Sequence, residues 1–233
     1  MTAVLYIGNR NYSSWSMRGA LLVRLSGIDC REEVIPLDVP EGRSRLREVS
    51  PTARVPCLHV DGERIWDSLA IAEYLHEQRP AARIWPADAA ARHYARSISA
   101  EMHSSFAALR SSCPMDIRAR RPRQEFPEAV LSDVQRILAI WAECRARFGA
   151  GGDYLFGEWS GADCMYAPVV TRFVTYGVDA GAEGRRYMDA VLAQPDVADW
   201  VRAAEVEPWH IDLDRLGIGG PRQAPSPGGG QAG

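Results

Sequence analysis

Two adjacent serines stand just ahead of an apolar helical run, in Asn11-Tyr12-Ser13-Ser14-Trp15-Ser16-Met17-Arg18. A helix N-terminus offers free backbone N–H groups and the positive end of the helix dipole, so a thiol held there ionises more readily, and a serine hydroxyl can donate to the resulting thiolate. The commoner use of serine at this place is simply to cap the helix. A second pattern is Val55-Pro56, which closes the polar stretch Ser50-Pro51-Thr52-Ala53-Arg54 and enters a strand. A cis bond here would turn the preceding N–H and C=O toward an extended ligand, whereas a trans proline at a strand edge is the ordinary reading, since only about one X-Pro bond in twenty is cis. The third is Asp67-Ser68 at the start of an apolar helix. The pair can cap that helix, or its carboxylate, hydroxyl and free amides can receive a ligand that carries both an α-amino and an α-carboxylate group.

The elements that must position these residues are legible from periodicity. Val4-Leu5-Tyr6-Ile7 is a short β-prone run ending at Gly8; Leu21, Leu22 and Leu25 recur at helical spacing over residues 17–25 until Gly27; and Val34-Ile35-Pro36-Leu37 predicts a second strand, making a right-handed βαβ unit. After a connector, residues 56–60 and 63–66 flank Asp61-Gly62 as a hairpin, and a helix follows from Asp67-Ser68 to about residue 78. Pro80 and Pro86 bracket a linker, beyond which the pattern is helical throughout: residues 89–110, 128–148, a helix from about Asp163, then 183–192 and 196–205. The expected architecture is an α/β thioredoxin-like βαβ-ββα domain over residues 1–79, a linker over 80–87, an all-helical bundle over 88–216 and a disordered Gly/Pro-rich tail over 217–233.

Composition removes several function classes. Of 233 residues, 27 are Lys or Arg and 30 Asp or Glu, a net charge of −3 without a basic stripe, which argues against nucleic acid as a partner. The one dense basic run, 118–123, reads as a solvated loop. Five widely spaced cysteines with no C-x-x-C pair indicate neither a disulfide framework nor a metal site, and fit a reducing compartment. The N-terminus runs directly into strand-like sequence, and no stretch reaches the roughly eighteen apolar residues of a membrane span. The expectation is a cytoplasmic protein without membrane contact.

In order and spacing the three motifs resemble the cytosolic glutathione transferase superfamily, and the resemblance spans residues 1 to about 216. Ser160-Gly161-Ala162-Asp163 adds to it, resembling the N-capping signature ahead of that superfamily's long central helix. Ser13-Ser14-Trp15-Ser16-Met17-Arg18 is most similar to the serine-type, zeta-like motif Ser-Ser-Cys-Ser-x-Arg. Trp15 stands where that motif has cysteine, so the resemblance by itself does not carry over zeta-type isomerase chemistry. It implies glutathione as co-substrate and no metal. The γ-glutamyl end would lie on Asp67 and Ser68, the cysteinyl backbone on Val55 ahead of Pro56, the glycyl carboxylate near Arg54, and the thiol at Ser13 or Ser14. It further implies transfer to a small hydrophobic electrophile and a homodimer. Alternatives are a glutathione-dependent isomerase, reductase or ether-cleaving enzyme, or a non-catalytic binding module. The acceptor pocket is expected between the domains, at Asn11, Tyr12, His103 and Phe106; the competing reading of the last two has Phe106 in the core and His103 solvated.

Overall fold

The computed structural model describes residues 3–123 and 125–213. Strand β1 (Ala3–Ile7) is central in a four-stranded sheet of order β2-β1-β3-β4, parallel to β2 (Cys30–Val34) and antiparallel to β3 (Cys57–Val60), which pairs in turn with β4 (Glu63–Trp66). The first crossover is helix α1 (Ser14–Ser26), which Gly27 ends in the left-handed conformation (φ 68°) that favours glycine.

Strand β2 departs from expectation. The ladder runs over the charged residues Cys30-Arg31-Glu32-Glu33-Val34, four positions ahead of the apolar run expected to form it. Two forces set this register. Pro36 has no N–H to extend the ladder past Ile35, whose N–H bonds to Ile7. The charges sit on an edge strand, where they suit solvent, and Glu32 is tied there to Arg10 and Arg24. The connector also proves to hold a helix, α2 (Pro40–Val49), with proline in its first turn and buried only at Gly42, Leu46 and Val49; so polar a segment carries little periodic signal.

Helix α3 (Ser68–Gln78) leads through a 3-10 turn (Pro80–Ala82) into the helical half. One helix expected over 89–110 is two, α4 (Ala89–Ser104) and α5 (Ala107–Ser112), because Phe106 adopts φ 60° and turns the chain. A non-glycine residue in that region is strained, and the ring's burial in the core opposes the cost. Helices α6 (Glu128–Phe148), α7 (Gly161–Tyr176), α8 (Gly181–Ala193) and α9 (Pro195–Val206) complete the bundle. The tail expected over 217–233 lies outside the described residues.

Helix α7 is the axis of the bundle, buried at every position but Val174. Gly161 lets it start against the 80–87 segment: its N–H bonds to Ile84 at 2.7 Å, and a Cβ there would lie 2.8 Å from the Ile84 oxygen. A capping box joins Ser160 and Asp163. The fully buried Asp163 carboxylate accepts from the N–H (3.0 Å) and hydroxyl (2.8 Å) of Ser160, the Leu155 N–H (3.1 Å) and the Tyr187 hydroxyl (3.1 Å). Burial outweighs these donors and raises its pKa from the ordinary 3.8 to about 6. A carboxyl whose pKa is raised by folding adds stability that is complete below pH 4 and is lost as pH rises through 6. Urea unfolding at pH 4 and pH 6.5 is therefore expected to show the stability of the wild type falling relative to Asp163→Asn as pH rises; an unchanged difference would contradict the assignment.

Candidate active site

Ser13 is the residue that caps α1. Its Oγ accepts the Ser16 N–H at 3.3 Å and lies 2.8 Å from Ser16 Oγ, which itself accepts the Gly8 N–H at 2.8 Å. With the Ser16 hydroxyl donating to Ser13, both lone pairs of Ser13 are filled and its own proton is left for a ligand. Ser14 Oγ accepts from Arg172 Nη2 at 3.1 Å, so its proton is also unspent. The N–H groups of Ser14 and Trp15, in the first turn, find no carbonyl among the described residues. Four donors thus gather at one helix terminus.

Beside it, the Val55-Pro56 bond is cis, against the ordinary expectation of trans. Pro56 packs on α1 at Gly19, where a Cβ would stand 2.7 Å from the proline Cβ, so only glycine permits the approach. The N–H and C=O of Val55 have no hydrogen-bond partner among the described residues. Asp67 caps α3 through Oδ1, 2.9 Å from the Leu69 N–H, with a strained φ of 55°. Its Oδ2 accepts from His103 Nε2 at 2.6 Å, across from α4. Ser68 is 1% exposed, yet its hydroxyl has no partner among the described residues. A buried hydroxyl left unpaired in a native fold calls for an explanation, and a polar ligand supplies one. Arg54 is exposed and makes no ion pair among the described residues.

A cavity of about 600 Å³ opens at Ser14 between the two halves. Arg110 and Arg172 line it, with Trp15 beside them. Arg172 is 5% exposed; it donates to the carbonyls of Cys113 (2.9 Å) and Pro168 (3.3 Å) and to Ser14, and among the described residues it has no carboxylate partner. Burial and then Arg110 lower its pKa to about 10, so it remains a cation at neutral pH. Arg18, 1% exposed, bonds to the carbonyls of Met165 and Ser14, and its Nη2 has no partner among the described residues. Burial, Arg172 and Arg110 hold its pKa well below the usual value. The guanidinium groups of Arg18 (4.6 Å) and Arg110 (4.8 Å) both lie over the Trp15 indole. Arg18 and Arg172 are thus buried cations with no bonded carboxylate among the described residues.

Several expectations about the pocket need correction. Tyr12 lines the cavity, but Asn11, His103 and Phe106 do not. Asn11 is consumed as a stitch: its side chain bonds to Asp116 (2.7 Å) and the Arg118 N–H (2.9 Å), and its own N–H to Glu207 (3.0 Å). Phe106 is core, and His103 serves Asp67 instead. Nor is 118–123 merely a solvated loop, since Arg118 donates to Glu207 and Trp209 carbonyls and to the Tyr12 hydroxyl. These bonds bring the C-terminal segment over the cavity, where Ile211 and Leu213 form part of its wall. The sequence carried one overlooked signal: a lone Arg172 within the apolar helical run of α7.

The glutathione S-transferase N-terminal domain matches residues 12–78, and the glutathione S-transferase C-terminal domain matches residues 118–203. The chain belongs to the glutathione S-transferase family. Among relatives of this transferase-family chain, maleylacetoacetate isomerase of Mus musculus is 31% identical over 76% of this chain and 80% of its own length. A probable maleylacetoacetate isomerase of Caenorhabditis elegans is 42% identical over 41% of this chain and 44% of its own. Among solved structures, a glutathione transferase homologue from Burkholderia with bound glutathione is 27% identical, with a TM-score of 0.68 over 89% of this chain and all of that one.

Proposed function

We propose that this chain binds glutathione across its first domain and directs the thiol at an electron-poor carbon of a carboxylate-bearing acceptor in the adjoining cavity. Glutathione, as co-substrate, supplies the sulfur nucleophile. The fit rests on groups left unspent by the fold: the orphan Ser68 hydroxyl and the open lone pairs of Asp67 for the γ-glutamyl end, the free backbone of Val55 for the cysteinyl unit, and Arg54 for the glycyl carboxylate. Ser13, Ser14 and the first-turn amides of α1 receive the sulfur as an anion.

The observation that carries the reading is Arg172. It is buried without a carboxylate partner among the described residues and bonded to Ser14, a proposed sulfur contact that also lines the cavity. There it and Arg110 orient the acceptor's carboxylate and stabilise negative charge that develops as sulfur adds to a conjugated double bond. The same addition begins either a transfer, in which sulfur stays attached, or an isomerisation, in which it leaves again after rotation about the former double bond. The names of the relatives favour the second. Assays with electrophilic halides and with cis-enoyl acids, each with and without glutathione, separate the two; no glutathione-dependent turnover of either would defeat the proposal.

Removing one stabilising donor lowers kcat by up to about 10²-fold. Ser13→Ala and Ser14→Ala are each expected to do so while glutathione still binds, read by stopped-flow absorbance of the thiolate; full activity in the double variant would leave the amides alone as the sulfur's partners. Asp67→Ala should instead act on binding. Loss of one charge-assisted hydrogen bond predicts a rise of roughly tenfold or more in the glutathione Kd, with kcat nearly unchanged; the opposite split would place Asp67 elsewhere.

We further propose that two copies pair and work in a reducing, cytoplasmic setting. Trp66, 43% exposed on the edge strand β4, supports the first, and five free cysteines support the second. Light scattering should report twice the 25.8 kDa chain mass; a monomer at micromolar concentration would count against pairing.

A further inference from the structure

The cavity at Ser14 is chemically lopsided. Arg110 and Arg172 are its charged lining residues, and they stand close enough that Arg110 is the second cause, after burial, of the lowered Arg172 pKa. Of the five N–H groups of Arg172, three have named acceptors, which leaves two for a ligand. Two neighbouring guanidinium groups that repel one another are relieved by one shared anion. Among the described residues the rest of the wall adds no charged group: Leu37, Met115, Ile211 and Leu213 are apolar, the Ser111 hydroxyl donates to the Ala107 carbonyl, and the Tyr12 hydroxyl is already bonded to Arg118. Arg118 lies behind Tyr12, outside the lining, with both Nη2 protons committed to the Tyr12 oxygen and the Trp209 carbonyl and Nη1 donating to the Glu207 carbonyl.

We infer that the acceptor is a monocarboxylate with an apolar tail rather than a dicarboxylate, and that Leu37, Ile211 and Leu213 set this preference. The inference rests on the reading above that this cavity takes the acceptor. A single carboxylate bound by both guanidinium groups places the conjugated carbons beside Ser14, where the sulfur is held, and leaves the tail against residues that reward burial of each methylene. A carboxylate at the tail's far end would be stripped of water with no cation among the described lining residues facing it.

Calorimetric titration of the full chain with saturated, unreactive acids tests this without turnover. From butanoate to hexanoate the Kd is expected to fall about fourfold per added methylene, and adipate, of equal length with a second carboxylate, to bind about tenfold or more weakly than hexanoate. Leu213→Arg should narrow or reverse that gap, and Arg172→Met should weaken hexanoate. Adipate binding as tightly as hexanoate to the wild type, no gain with tail length, or hexanoate affinity untouched by Arg172→Met would each overturn the inference. Because glutathione is absent from these titrations, hexanoate selectivity without thiol-dependent turnover in the enzyme assays would sink the reaction and leave the pocket's selectivity standing. Turnover combined with an adipate preference would do the reverse.

Discussion

Arg18 and Arg172 are desolvated where α1 meets α7, and neither has a carboxylate partner among the described residues. Removing a guanidinium from water costs several kcal/mol even after relaxation, so the fold must surround each with carbonyl oxygens at fixed distances. Arg18 reaches from α1 to the Met165 carbonyl on α7, and Arg172 reaches from α7 to Ser14 on α1. These reciprocal bonds set the two helices in register. They explain why so much of the molecule is devoted to holding α7 still, through the Asp163 carboxylate, the Gly161 contact with Ile84 and burial along nearly its whole length.

The same positive charge organises the site. Trp15 carries the guanidinium groups of Arg18 and Arg110 over its indole, and the His103 ring lies 5.0 Å from its own. His103 in turn holds Asp67. A chain of direct contacts therefore runs from the proposed γ-glutamyl end, through the residue that replaces the zeta-type cysteine, to the cavity's cationic pair. In this arrangement the bulk of Trp15 is structural support for Arg110, whose Nη1 is steadied by the His103 carbonyl. The C-terminal segment closes the arrangement from the other side, anchored by Glu207 on the Arg10 and Asn11 N–H groups.

What could be read along the chain was read where the signal is local. The Asp-Gly hairpin, the helix over 128–148 and the serine cap of α1 depend on neighbours a few residues away, and each lies where its pattern put it. The readings that failed turn on competition with distant groups. Strand β2 follows its hydrogen-bond ladder and its ion pairs to Arg10 and Arg24 rather than its most apolar stretch. Helix α4 stops where burial of the Phe106 ring requires a left-handed residue.

By itself the sequence determined the βαβ and hairpin-helix order of the first half, the helical character of the second and the residue types at the proposed thiol site, though neither helix α2 nor the break at Phe106, because helix caps, tight turns and periodic apolar faces are properties of short windows. Only the tertiary structure decided which cations meet at Ser14 and what faces them. Arg110 and Arg172 are sixty-two positions apart, and Leu37 and Leu213 come from the two ends of the chain. Whether an arginine is a solvated surface charge, a stitch to carbonyl oxygens or an uncompensated cation in a cavity depends on the dielectric and the partners that packing brings to it, and no local pattern encodes either.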